Sequence, residues 1–215
     1  MSEKIIEANY NITKKSKLRI FYDTYKFLII SSFIIVLILF GSINFYFYKI
    51  ENKKIKLSEN YVQAKVYLQN GNKDKATIVL KKIIFLNDPT YSTLSLLLIL
   101  NQKLITSEKE ISIIFDHLLS ENKFDSEIKN LLVYKKILFS LNFLNELELL
   151  ELIKPLLKSE SVWKPHALLL LGDYFSSRNE NLKAKEFYMK IFAIKNLSND
   201  LYEQASSQLA LISND

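Results

Sequence analysis

One long apolar run near the amino terminus separates two parts of the chain that differ in pattern. From Phe27 to Tyr48 the sequence FLIISSFIIVLILFGSINFYFY has 22 residues and no charge. At 1.5 Å per residue, a helix of this length spans the roughly 30 Å hydrocarbon core of a bilayer. Aromatic residues stand at both ends of the run, as is typical at the two membrane interfaces. The pattern predicts a transmembrane helix over 27–48.

Two alternatives compete with this prediction. A core helix of a soluble protein is rarely apolar on every face for so long. A cleaved signal peptide has an apolar region of about 7 to 15 residues and then a small-residue cleavage site, whereas this run ends in NFYFYKIENKK. An uncleaved anchor fits the sequence better than either alternative.

Beyond residue 57 the chain alternates amphipathic runs with short polar breaks. Apolar positions recur at helical spacing, and no stretch alternates with the period of two that indicates a strand. Breaks such as NGN, NDPT and RNEN carry residues that cap helices and turn the chain. The pattern predicts an all-α fold in which Pro155 kinks or ends its helix near Leu152 to Lys154. The predicted helices cover 57–70, 73–87, 91–104, 108–120, 126–141, 145–158, 164–177, 181–195 and 200–213.

Two helical pairs share the spacing of their small residues. Gly172 and Ala184 are twelve residues apart, as are Ala64 and Ala76, and an aromatic residue follows the first small residue by three in both pairs. A glycine inside a helix costs roughly 1 kcal/mol relative to alanine, so we expect Gly172 and Ala184 where two helices come closest. An ordinary hairpin without a repeat relation is the alternative. The residues expected to pack within the two pairs are Ala64, Tyr67, Gly71, Ala76, Leu80, Leu171, Gly172, Phe175, Ala184 and Tyr188.

The distribution of charge changes what the basic composition implies. The net charge is +6, but residues 1–56 hold ten basic and four acidic residues, which leaves nineteen of each for residues 57–215. A nucleic-acid binder needs a basic patch, and here the basic residues cluster beside the apolar run, where they meet lipid headgroups. They do not orient the span, because each flank, 7–26 and 49–68, carries five of them.

Residues that support enzyme chemistry are sparse. The chain has no cysteine and three glycines, which argues against disulfide frameworks, thiolate zinc sites and glycine-rich phosphate loops. His117 and His166 have no second histidine or cysteine at ligand spacing. Glu146, Glu148 and Glu151 follow the pattern of a solvated acidic face, and no serine occupies a G-x-S-x-G context. We therefore expect no catalytic site, no metal, no cofactor and no small-molecule substrate.

The spacing of a small residue, an aromatic residue and then an alanine resembles the tetratricopeptide repeat, whose helix pairs stack into a superhelix. The whole-chain arrangement is similar to the YfgM-like family, whose members are ancillary subunits of the SecYEG translocon. It consists of a lysine-bearing tail, one span and helical pairs that open with YVQAKVYLQNGNKDKATIVLKKI. The stretch SVWKPHALLLLGDYFSSRNENLKAKEFYMKIF, followed by LYEQASSQLALI, looks like the alphaproteobacterial version. The middle pairs, 91–120 and 126–158, lack the small residues, and leucine, lysine and asparagine replace the family's alanine and arginine.

This resemblance implies a tetratricopeptide-like α-solenoid of about four helical hairpins and a carboxy-terminal capping helix. It implies a bacterial inner-membrane protein with a cytoplasmic tail over 1–26, the span over 27–48, a basic linker over 49–56 and a periplasmic repeat domain over 57–215. Translocon subunits, periplasmic chaperones or secreted chains would be its partners, and nucleic acid would not. The first-helix residues that the resemblance places on a concave binding surface are Tyr61, Lys65, Leu68, Gln69, His166, Leu169, Asp173 and Ser176.

Two other functions stay open on the sequence. A scaffold for outer-membrane or cell-division assembly would use the same fold with different partners. An inverted topology would place the carboxy-terminal domain in the cytoplasm as an enzyme or a nucleic-acid binder.

Overall fold

The computed structural model of the chain describes residues 17–213, and over this range the backbone forms helices and turns without a strand. The predicted all-α fold is confirmed for these residues. From residue 73 onward a helix occurs at each predicted position, with ends that differ by a few residues. In chain order the helices are α1 Lys17–Gln69, α2 Lys73–Ile84, α3 Pro89–Asn101, α4 Glu108–Glu121, α5 Ser126–Ser140, α6 Glu146–Lys158, α7 Trp163–Ser176, α8 Asn181–Phe192 and α9 Asn199–Ser213.

α1 joins the expected tail, span, linker and first repeat helix in one continuous helix. α1 is 53 residues long, which corresponds to about 80 Å at the usual rise per residue. The segment 49–56, expected as a linker, is helical because KIENKKIK contains neither proline nor glycine to break the backbone. Of the expected tail, residues 17–26 belong to this helix, and residues 1–16 lie outside the described range.

The apolar run of α1 is exposed at every position whose side chain the structure describes. Among the described residues α1 is the one helix long and apolar enough to cross a membrane, with a mean hydropathy of 2.5 in its most apolar window. No part of that window is buried inside the protein, and Phe27 remains 78% exposed. A helix that is apolar on all faces and unpacked is stable in lipid rather than in water. The length and composition of α1 are those of a membrane-spanning helix.

The chain divides into two compact units, with the boundary between Lys56 and Leu57 inside α1. Within the described residues, the first unit is the amino-terminal part of α1. The second unit contains α1 from Leu57 onward and helices α2 to α9. All candidate binding residues lie in the second unit.

Capping side chains fix the starts of α3 to α6. The carboxylate of Asp88 accepts hydrogen bonds from two backbone N–H groups at the start of α3. Asn145 and Glu148 form a reciprocal capping box at the start of α6. Each cap satisfies N–H groups that have no partner inside the helix and contributes about 1 kcal/mol. α4 and α5 begin in the same way after Ser107 and Asp125.

Pro155 was expected to kink or end its helix, and the structure does not show the end. α6 continues through the proline to Lys158, so the end expected near Leu152 to Lys154 is not observed. The proline removes one backbone hydrogen bond in the last turn, but the apolar face of the helix stays packed and holds that turn in place. The buried residues of this face are Leu149, Ile153 and Leu156.

α1, α3 and α7 end in the same way. A residue just beyond the end of each helix has a left-handed backbone: Gly71 at φ +75°, Lys103 at φ +49° and Asn179 at φ +60°. The N–H groups of this residue and the next donate to carbonyls three and five residues back, which is a Schellman motif. Glycine adopts this conformation without strain and asparagine tolerates it, whereas lysine does so at a steric cost.

Two hydrophobic clusters form the core of the second unit. The first extends from the end of α1 to α5 and includes the buried residues Leu57 and Leu132. The second extends from α5 to α9 and includes the buried residues Ile137 and Ala205. Because α5 contributes to both clusters, it joins the two halves of the unit.

Helices contact both their neighbour in the chain and the next helix but one. From α2 onward each helix packs against the next, and α7 also packs against α5 and α9. The rings of Tyr61 in α1 and Tyr91 in α3 lie 6.3 Å apart. Contacts therefore join odd-numbered helices to one another, α1 to α3 and α7 to α5 and α9. Two ion pairs join even-numbered helices in the same manner, Lys81–Glu110 and Lys183–Glu146.

A close contact exists at Gly172, as expected, and the atoms nearest to it belong to Tyr188. Gly172 is buried in α7, and a Cβ atom at this position would overlap the ring of Tyr188 in α8. Ala184, the expected neighbour, is fully buried one turn earlier in α8. The glycine therefore makes room for an aromatic ring rather than for a second backbone.

The other residues expected to pack within the two pairs are buried, with two exceptions. Tyr67 is half-buried, and Gly71 is exposed. No heavy atom lies within 4 Å of the position that a Cβ of Gly71 would take, so Gly71 acts through its backbone at the end of α1 and not through packing. The buried members of the set are Ala64, Ala76, Leu80, Leu171, Phe175, Ala184 and Tyr188.

Candidate partner-binding surface

The residues expected on a concave surface form two separate sets. Near the end of α1, Tyr61 and Leu68 are half-buried, and Lys65 and Gln69 are exposed. Tyr61 packs against the first hydrophobic cluster, and burial raises the pKa of its phenol. Leu169 of α7 packs against the second cluster. The two sets therefore lie in different halves of the second unit.

Leu169 and Asp173 line a groove between α7 and α9. The groove holds about 540 Å³, which is within the range of ligand pockets. Three carboxylates and no basic side chain occur in its lining, so the groove attracts lysine and arginine side chains of a partner. The lining residues from α9 are Asp200, Glu203, Gln204, Ser207 and Gln208.

A hydrogen bond from the core holds the carboxylate of Asp173. The hydroxyl of the buried Tyr188 donates to Asp173 Oδ1 over 2.7 Å. Partial burial raises the pKa of the Asp173 carboxyl, and this hydrogen bond acts in the opposite direction. Burial, followed by the hydrogen bond to Asp173, raises the pKa of the Tyr188 phenol, so it remains a donor. The contact at Gly172 thus supports the groove, because the Tyr188 ring fills the space that the glycine leaves.

His166 belongs to an aromatic group beside this groove. Its ring lies 5.4 Å from that of Trp163 and 5.9 Å from that of Tyr134 in α5. Burial lowers the pKa of His166. His166 also lines a second depression of about 720 Å³, formed by the start of α7 and residues 193–198. Ser176 is half-buried and lines neither depression.

Sequence reasoning missed the contributions of α9 and Tyr134. α9 was expected only to cap the array, yet it supplies most of the groove. The sequence did contain a pattern that indicates the polar face of α9, because Asp200, Glu203 and Ser207 recur at i, i+3 and i+7. Tyr134 gives no comparable signal, since its place beside His166 depends on the packing of α5 against α7.

The residues considered for catalysis or metal binding have structural partners. Over residues 17–213, no three His, Cys, Asp or Glu side chains are arranged to hold a metal ion. These partners fit solvated helix faces and caps. The contacts are Glu146 with Lys183, Glu148 with the Asn145 N–H, Glu151 with Lys154, and His117 Nε2 with Asn87 Oδ1 at 2.8 Å.

No protein-family model, curated protein or solved structure matches the chain. The apolar helix, the packing of the pairs and the grooves are therefore the observations that bear on function.

Proposed function

We propose that the protein is a non-enzymatic, membrane-anchored protein–protein interaction module of the bacterial cell envelope. α1 anchors it with the amino terminus in the cytoplasm, and the unit from Leu57 onward is a tetratricopeptide-like array in the periplasm. It acts as an ancillary translocon subunit that links secretion to periplasmic chaperones. The groove between α7 and α9 is the observation that carries the proposal.

The contacts between alternate helices support the array. In a stack of helical hairpins, first helices form one row and second helices form another. Here α1 contacts α3, and α7 contacts α5 and α9, while ion pairs join α2 to α4 and α6 to α8. Three first helices also share the Schellman ending at Gly71, Lys103 and Asn179. α9 then takes the place of the capping helix.

The chemistry of the groove favours a protein partner. It is shallow and polar, and the carboxylate of Asp173 is held in place by Tyr188. The carboxylates of the groove can pair with basic side chains of an extended segment. The side-chain amides of Gln204 and Gln208, which belong to the lining, can form hydrogen bonds with its backbone. The negative charge of this groove disfavours nucleic acid.

Copurification in a mild detergent tests the proposed partner. The full chain, carrying an affinity tag, should recover translocon subunits under conditions that keep the translocon intact. The same experiment with Asp173→Lys and Glu203→Lys, which reverse the charge of the groove, should reduce that recovery. Recovery of an intact translocon by another bait, but not by this chain, would count against the proposal.

A reporter fused after Asp215 tests the proposed location. The flanking lysines do not decide the orientation, so the periplasmic placement depends on the family resemblance. Activity of a periplasm-dependent reporter is the expected result. A reporter active only in the cytoplasm would favour the inverted topology. A scaffold for outer-membrane or cell-division assembly remains the alternative if the location is periplasmic but the translocon is not recovered.

A further inference from the structure

A third depression lies between α3 and α5 and contains none of the residues expected to bind a partner. It is an open trough of about 510 Å³ formed by the end of α3, the segment that follows it and the second half of α5. We propose that this trough binds an apolar peptide segment that carries carboxylate side chains. The site would be a second partner-binding surface, with a charge preference opposite to that of the groove between α7 and α9.

The floor of the trough is apolar and accessible. Five of its nine lining residues are leucine, isoleucine or phenylalanine. Leu138 is 38% exposed, and the other four are half-buried. Side chains of a partner that cover this floor would remove apolar surface from water, which is the main driving force of association. The five residues are Leu97, Leu100, Ile105, Leu138 and Phe139.

The charges of the trough select for a carboxylate. Lys103 and Lys135 are its only charged lining residues. In the described part of the chain neither ammonium group forms a salt bridge. The adjacent Lys136 does form one, since its Nζ lies 2.6 Å from Asp116 Oδ1. The Schellman motif at the end of α3 fixes the backbone of Lys103. A carboxylate near these two lysines therefore gains favourable charge interactions that a basic partner would not.

The polar groups of the trough favour a peptide over a lipid. The side chains of Asn101 and Thr106 are exposed and form no hydrogen bond within residues 17–213. An amide and a hydroxyl can pair with the N–H and C=O groups of a peptide backbone. A fatty acid would offer one carboxylate and no further hydrogen-bonding group. We therefore assign the trough to a peptide.

Direct binding of short peptides to the full chain tests this assignment. The chain would be placed in lipid nanodiscs, and binding of a fluorescein-labelled peptide ELLDLL would be followed by anisotropy, with empty nanodiscs as the blank. We expect saturable binding of ELLDLL and at least about tenfold weaker binding of KLLKLL, because a lysine peptide meets like charges. This assay is independent of membrane orientation and of the translocon, so its failure is distinct from failure of the proposed function.

Charge reversal provides the sharpest variant. Lys103→Glu combined with Lys135→Glu should exchange the preference, so that KLLKLL binds more tightly than ELLDLL. Lys129→Glu, at an exposed position of α5 outside the trough, should leave the preference unchanged. Lys103 and Lys129 are exposed and Lys135 is half-buried, so circular dichroism would verify that the helices are retained.

A change in the floor provides the second variant. Leu138→Asp should weaken binding of ELLDLL by about twentyfold, because it places a carboxylate on the apolar surface. Leu147→Asp is the matched control, since Leu147 is 72% exposed on α6 and lies outside the trough. Absence of saturable ELLDLL binding, equal effects of both leucine changes, or an unchanged preference after charge reversal would overturn the proposal. Binding of decanoate without binding of ELLDLL would assign the trough to a lipid and would also overturn it.

Discussion

The first and last helical pairs share one spacing but fill it with different residues. Gly172 and Tyr188 of the last pair occupy the positions that Ala64 and Leu80 occupy in the first, because each second residue follows the first by sixteen. All four residues are buried. A glycine accompanies a large ring in one pair, and an alanine accompanies a leucine in the other.

This comparison shows that the spacing preserves burial at both positions, not the residues themselves. The volume lost at one helix is offset by volume gained at the other, as close packing of a core requires. The two glycines are correspondingly different. Gly172 provides space for Tyr188, whereas the exposed Gly71 provides a backbone conformation and aligns with Asn179, not with Gly172.

The largest expected effect comes from filling the space at Gly172. Gly172→Leu should lower the free energy of unfolding by about 3 kcal/mol or more, because the buried ring of Tyr188 already occupies the space that the added side chain needs. Denaturation of the full chain in detergent, followed by fluorescence of Trp163, the single tryptophan, would measure this change. Lys185→Leu adds the same side chain at an exposed position of α8 and should change stability little. An unaltered stability of Gly172→Leu would refute the pairing of α7 and α8.

A double-mutant cycle can convert the last pair into the first. Gly172→Ala and Tyr188→Leu should each destabilise the protein, by about 1 to 3 kcal/mol. Together they recreate the combination found at Ala64 and Leu80, so the double variant should lose about 1 kcal/mol less than the sum of the two single changes. Strict additivity in the same denaturation experiment would mean that the two positions do not share one packing space.

The stability of variants at Gly71 should depend on backbone conformation alone. Gly71→Ala should cost about 1 kcal/mol, because alanine is strained at φ +75° although space is open there. Gly71→Asn should cost less, since Asn179 holds the equivalent position. Thermal unfolding followed by circular dichroism would compare the two variants. Equal losses would show that side-chain contacts, and not the left-handed backbone, determine the effect.

The smallest expected effect is a pH dependence at His166. Burial lowers its pKa from 6.5, so the stability that neutral His166 contributes is complete above pH 6.5 and is lost as pH falls through the lowered pKa. His166→Gln should reduce the change in unfolding free energy between about pH 7.5 and pH 5. An NMR titration of the His166 imidazole gives an independent check. A midpoint for His166 at or above 6.5 would contradict the burial seen beside Trp163.

The features that could be predicted are those with local causes. Helix starts were visible because capping residues such as Asp88 and Asn145 precede apolar periodic runs. The small residue at position 172 was visible as well, but its neighbour was not, since only packing decides whether Ala184 or Tyr188 faces it. The continuous helix through 49–56 was missed because a basic segment after a span suggested a linker, although nothing in it stops a helix.

The grooves depend on contacts between pairs and were less accessible to sequence reasoning. Leu169 and Asp173 were expected on a binding surface, and both line the groove between α7 and α9; that a partner binds there stays a prediction. Their partners on α9 come from a helix expected only as a cap. The trough between α3 and α5 lies in the pairs that lack small residues, so no repeat position indicated Lys103 or Lys135 in advance.

In-cell photocrosslinking would show whether first-helix residues contact proteins of the envelope. A photoreactive residue would replace Tyr61, Gln69, Leu169 or Ser176, and Ile78 and Leu182, which are 67% and 87% exposed on second helices, would serve as matched controls. We expect adducts with translocon subunits, periplasmic chaperones or secreted chains from the first-helix positions and few from the controls. Adducts with cytoplasmic proteins, or equal adducts from both sets, would contradict this expectation.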